Sequence, residues 1–123
     1  MKIFKKKQEE KKEKISLPDH IITLDDKKFE NFISSYPTCL IDFWAPWCQP
    51  CRTMGPRLRK LSTIYKEKIA FGKLDIQQYK KIADNYKIMS IPTFIIFKNG
   101  KAKSTIYGVK SVGDIKKIIE KYI

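Results

Sequence analysis

The residues best suited to covalent chemistry lie together in Trp47-Cys48-Gln49-Pro50-Cys51. Two cysteines separated by two residues can bond to each other, or they can supply half of a four-ligand zinc site. If the pair opens a helix, the first sulfur faces unpaired helix N–H groups and the positive end of the dipole, which favour thiolate over thiol. Thiolate is the species that attacks a disulfide. Pro50 would fall in the first turn, where a missing N–H does no harm. Cys51, one turn in, is expected to be the more buried sulfur and to resolve a mixed disulfide formed by Cys48.

A zinc site needs further ligands, and the other candidates are Cys39 and His20. Cys39 lies nine residues before Cys48 in an extended run. At about 3.3 Å per residue it belongs at the far end of its strand. It reads as a small buried core residue. His20 has no second His or Cys beside it, so no metal is expected. A cysteine-protease arrangement also fails, because it needs a histidine partner and this one sits near the N-terminus.

The elements that must position the pair alternate between period-2 and period-3.6 patterns. Ile21-Ile22-Thr23 predicts a short strand, and Asp25 or Asp26 can cap a helix burying Phe29, Phe32 and Ile33. Thr38 to Trp44 is apolar on both faces apart from Asp42, as suits a central strand covered by helices on each side. The helix opened by the cysteines is expected to bury Leu58, Leu61, Ile64 and Tyr65. A strand over 69–75 and a short helix over 80–86 follow. Thr93–Lys98 and Lys101–Tyr107 predict strands joined by Asn99-Gly100, a two-residue hairpin signal. The last helix carries a capping box, Ser111-x-x-Asp114, and a stripe of Val112, Ile115, Ile118, Ile119 and Tyr122. The fold class is therefore α/β, a mixed sheet with helices on both faces.

The 123 residues suit one domain with its own core. The formal charge of +13 implies good solubility and weak attraction to polyanions, and says nothing about fold. Residues 1–14 hold seven lysines and three glutamates, with only Ile3 and Phe4 apolar after Met1. Such a segment cannot offset its ordering entropy by burial, so a tail and hinge are expected over 1–18 and the folded domain over 19–123. The tail lacks arginine and interleaved aromatics, so no specific nucleic acid is expected. Ile3 and Phe4 offer too little area to anchor it on a membrane. The basic start resembles a signal-peptide n-region, but Gln8 to Lys14 are all polar or charged, and no apolar run approaches a membrane span. A cytoplasmic location is expected, where three cysteines would not form a disulfide framework.

Asp42-Phe43-Trp44-Ala45-Pro46-Trp47-Cys48-Gln49-Pro50-Cys51 resembles the active-site segment of the thioredoxin family. Further matches follow in register: Pro56 in the active-site helix, Lys73-Leu74-Asp75, Ser90-Ile91-Pro92-Thr93, Phe97-Lys98-Asn99-Gly100 and Gly108. The likeness runs from about Ile21 to Ile123. It implies the thioredoxin fold, with a central five-stranded mixed sheet, and a general protein-disulfide reductase that is itself re-reduced by a thioredoxin reductase. No cofactor is implied, and a monomer is expected. Cys48 would be the nucleophile and Cys51 the resolving thiol. Asp42 would be a buried acid handling the proton of Cys51, with Lys73 as its partner. Trp47 would be an exposed platform for substrate. Ile91-Pro92 would be a cis bond whose backbone pairs with a substrate segment, and Gly108 would close the groove. Gln49 departs from the family's usual glycine and bears on reduction potential. Retained Pro50, and the lack of histidine between the cysteines, favour a reductant over an oxidant or isomerase. A thioredoxin-fold adaptor that only binds would not need both cysteines together with Asp42 and Pro92. A third alternative is a module whose tail localises it on a polyanion.

Overall fold

The computed structural model describes residues 16–123, so the expectations for the tail at 1–14 lie outside the described residues. In chain order the elements are β1 (Ile22–Thr23), α1 (Phe29–Ser35), β2 (Thr38–Trp44), α2 (Gln49–Ile64), β3 (Ala70–Asp75), α3 (Lys80–Asn85), β4 (Thr93–Lys98), β5 (Lys101–Tyr107) and α4 (Val112–Ile119). They form one five-stranded sheet in the order β1-β3-β2-β4-β5. β1, β3 and β2 run parallel, while β4 and β5 are antiparallel to their neighbours. Because β2 and β3 are parallel, the chain must cross over between them, and α2 makes that crossover. At the β4–β5 turn, Asn99 and Gly100 have φ of 52° and 81°, the left-handed pair that a two-residue hairpin requires.

Alternation along β2 assigns its side chains to two cores. Leu40 packs with Met54, Leu58, Leu61 and Tyr65 from α2 and its end, and with Ile115 and Ile119 from α4. Cys39, Ile41 and Phe43 face the other way, onto Phe29, Phe32 and Ile33 of α1, with Ile82 and Tyr86 of the α3 segment alongside. Asp42 falls between Leu40 and Trp44, on the α2 side of the sheet. The helix that carries the cysteines therefore covers the strand that carries the carboxylate.

Three local expectations are refined by the structure. Ile64 is exposed rather than part of the α2 stripe, which consists of Cys51, Met54, Leu58, Leu61 and Tyr65. At 100° per residue Ile64 points roughly 100° away from the middle of that stripe, whereas Tyr65 falls on it. Asp25 Oδ1 accepts the N–H groups of Lys27 and Lys28 at 3.0 and 2.8 Å, so it caps the turn that leads into α1. At α4, Ser111 Oγ accepts the Asp114 N–H at 3.1 Å, one of the two bonds of a capping box.

Gly72 fixes how closely the layer above β3 can approach. A Cβ added there would lie 2.8 Å from Leu24 Cδ1 and 3.2 Å from both Ile41 Cδ1 and Phe32 Cε1. Gly72→Ala is therefore expected to destabilise the fold by about 1–3 kcal/mol through overpacking. A denaturant midpoint unchanged from the parent would show that these three side chains can move apart freely.

Candidate active site

Cys48 occupies the N-cap of α2, with extended φ and ψ of −88° and 110°. Its Sγ accepts the Cys51 N–H at 3.2 Å. Pro50 lies in the first turn, where it removes no helix hydrogen bond. The two cysteines are joined as a disulfide, with Cα atoms 5.3 Å apart. They pack with Ala45 and against Trp44, Ile76 and Ile91. The expected contrast in burial is absent from this oxidised form, in which Cys48 and Cys51 are 4% and 6% exposed. What distinguishes the sulfurs is the helix N-terminus, since the N–H of Cys51 points at Cys48 Sγ.

Beneath the pair lies Asp42, 8% exposed, with its Oδ1 lacking a hydrogen-bond partner among the described residues. Burial pushes its carboxyl up to about 7, while the Lys73 ammonium pulls in the opposite direction. Asp42 and Lys73 are register partners across β2 and β3. Even so, they form no salt bridge; the one salt bridge among the described residues is His20 with Asp19 at 3.0 Å. The Lys73 ammonium instead sits 5.1 Å from the centre of the Trp44 ring, a cation–π contact. Desolvation of Asp42 thus outweighs the attraction of its nearest cation.

Of the matched groove residues, Ile91 is the one packed against the disulfide. Trp47 is 67% exposed rather than a core aromatic, and its ring N–H donates to Gln77 Oε1 at 2.8 Å. The Ile91-Pro92 bond is cis. Ile91 packs against the cysteines, and the Pro92 carbonyl accepts the Gly108 N–H at 2.9 Å. Gly108 has φ of 79°, and a Cβ there would meet nothing within 4 Å, so conformation rather than space calls for glycine. Met89, Tyr107 and Val109, absent from the expected site residues, are 92%, 62% and 44% exposed and flank the same two segments. Large apolar residues directly beside the matched motifs were the available signal.

Cys39 is fully buried at the start of β2, the end of the strand remote from the disulfide. Its Sγ lies 3.7 Å from the carbonyl oxygens of Phe32 and Tyr36, and burial pushes the thiol up to about 12. In native, dithiothreitol-reduced protein at about pH 8, iodoacetamide should therefore modify two of the three cysteines and leave Cys39 untouched. Mass spectrometry showing a third adduct before unfolding would contradict that reading.

The Thioredoxin family profile matches residues 20–121 of this chain. The chain is 38% identical over 104 residues to a protein named thioredoxin from Buchnera aphidicola, covering 84% of this chain and 96% of that one. It is 37% identical over 106 residues to thioredoxin M5, chloroplastic, of Oryza sativa, covering 85% of this chain. It spans only 62% of that relative's length. Among solved structures, a point mutant of a thioredoxin from Halobacterium salinarum superposes with a TM-score of 0.81 at 25% identity, covering 86% of this chain and 93% of that one.

Proposed function

This chain belongs to the thioredoxin family, and on that premise we propose that it reduces protein disulfides through reversible Cys48–Cys51 dithiol chemistry. The observation that carries this reading is a bonded cysteine pair at a helix N-terminus, beside a buried carboxyl whose Oδ1 has no hydrogen-bond partner among the described residues. In the reduced protein the Cys48 thiolate attacks one sulfur of a target disulfide. A Cys48–target bond forms, the target S–S bond breaks, and the leaving thiolate takes up a proton. Asp42 accepts the proton of Cys51, whose thiolate then attacks Cys48 Sγ and releases the reduced target. The target gains two electrons and two protons, and the Cys48–Cys51 disulfide is restored. A thioredoxin reductase returns the electrons. Trp47, Ile91, Pro92 and Gly108 hold the target segment, and Lys73 acts on the charge of Asp42.

Insulin-disulfide reduction with dithiothreitol as electron source tests the proposal. Accelerated precipitation of the insulin B chain is expected, and a rate equal to dithiothreitol alone would refute it. A reduction potential above that of protein disulfide isomerase would instead favour the oxidising alternative. Among the described residues no helix is long and apolar enough to cross a membrane. We place the protein in the cytoplasm as a monomer, with residues 1–18 as an appended tail and 19–123 as the working domain. Deleting residues 1–14 should leave the insulin rate within about twofold, because every residue given a role lies beyond Ile21. A tenfold loss would make the tail part of the site.

A further inference from the structure

The chain has 23 lysines but only three arginines, Arg52, Arg57 and Arg59, and all three are on α2. The sixteen residues of that helix include no Asp or Glu. None of the three arginines has a carboxylate partner among the described residues. Arg52 donates to the Pro46 carbonyl at 2.9 Å, and Arg57 donates to the Lys110 carbonyl at 2.8 Å. Arg52 and Arg59 are seven residues apart, which puts them on the same side of the helix, about 10 Å from each other along its axis. Gly55 lies between them, and a Cβ there would come within 3.5 Å of Arg59 Nη1.

That side of the helix borders a cavity of about 330 Å³. Exposed Arg52 and Arg59 and half-buried Lys73 line it, together with buried Cys51 and Asp42. Asp42 is the acidic group in the cavity, and its Oδ1 is unpartnered. Asp19 lines the adjoining cavity with Arg59 and Lys73, its carboxylate occupied by His20. Three cations share this cavity with a single buried carboxyl, and Arg52 directly follows the resolving Cys51, so positive charge is in excess there. Guanidinium groups recognise carboxylates through paired N–H donors, which a lysine surface does not provide.

We propose that this cleft receives an acidic side chain from the disulfide-bearing partner, so that Asp or Glu flanking the target cysteine defines the preferred substrate class. The inference rests on the disulfide-reductase reading and adds the charge of the target to it. The bound carboxylate completes the cationic rim, draws the partner to the Cys51 side of the site, and speeds encounter most at low salt.

The test compares two disulfide-bridged peptides that differ only in flanking Glu or Gln, both reduced by the full chain with dithiothreitol as electron source. At about 20 mM salt the acidic peptide should have a kcat/KM about tenfold higher, and near 300 mM the ratio should fall below about threefold. Arg52→Gln with Arg59→Gln should abolish most of the preference and leave the neutral peptide's rate near the parent's. Lys116→Gln with Lys117→Gln removes the same charge from α4 and should keep the preference. A ratio within twofold at low salt overturns the proposal, as does equal loss in the two double variants, which would assign the effect to net charge. A DNA oligonucleotide that blocks neutral-peptide reduction more tightly than the acidic peptide binds would assign the cleft to nucleic acid and also overturn it. Failure to reduce either peptide would count against the reductase reading instead.

Discussion

Cys51→Ser should let the protein attack a target disulfide once and then hold the target covalently. Cys48 sits at the N-cap of α2, where its sulfur accepts the N–H of Cys51 at 3.2 Å and faces the positive end of a sixteen-residue helix. That environment stabilises a thiolate at Cys48 and offers nothing comparable to Cys51. Without the second thiol, the Cys48–target bond has no intramolecular nucleophile 5.3 Å away, Cα to Cα, to break it. Turnover should fall by at least about a thousandfold, as expected when one member of a concerted pair is lost. Non-reducing gels and mass spectrometry should show a one-to-one adduct through Cys48. Cys48→Ser should be equally inactive and form no adduct. If Cys48→Ser is the variant that traps targets, the roles of the two sulfurs are reversed.

Asp42→Asn is expected to stabilise the fold at pH 8 by up to about 4 kcal/mol and to slow release of reduced target. The ordinary carboxyl value is 3.8, and burial raises that of Asp42 to about 7. Below pH 4 both the native and unfolded chains hold the proton, and the neutral group contributes its full stability. Between about 4 and 7 the unfolded chain gives up the proton while the native protein keeps it, so stability declines as pH rises. Above 7 the loss levels off, at about 1.4 kcal/mol for each unit between the two values. Asparagine never ionises and escapes that loss. Denaturant melts should therefore give near-equal stabilities at pH 4 and a clear advantage for the variant at pH 8. Its slower release follows from the loss of the proton acceptor for Cys51. If the variant is less stable at pH 8, or releases target at the parent rate, Asp42 does not play the part assigned to it.

The strand bounds of Thr38–Trp44, Thr93–Lys98 and Lys101–Tyr107 were legible in the chain because Pro37, Pro92, Asn99, Gly100 and Gly108 stand directly at their borders, and Pro46 two residues past Trp44. The segment from Asp42 to Cys51 was legible because the end of one strand, a four-residue turn and the start of one helix follow directly in the chain. Contacts between elements were not legible. The register of β3 against β2 sets Lys73 opposite Asp42, yet its ammonium reaches the Trp44 ring, a side-chain placement that no local pattern encodes. The near-equal burial of the two cysteines arises from Ile76 and Ile91, which arrive from separate segments. Ile64 follows Leu61 by three residues, a spacing compatible with one face, yet the phase of the helix turns it to solvent and Tyr65 to the core.

The sheet ends on one side in β1, which has two residues, and on the other in β5, which has seven and pairs only with β4. The free side of β5 is a row of backbone donors and acceptors that any extended chain could extend as an added strand. Lys101 and Lys103 stand exposed along its first half. A second copy approaching parallel and in register would have to bring its own ammonium groups against them and strip both sets of water. The opposite border is too short to serve as a template. One border thus carries like charges along its first half and the other is two residues long, so neither offers a long uncharged template for stacking of copies.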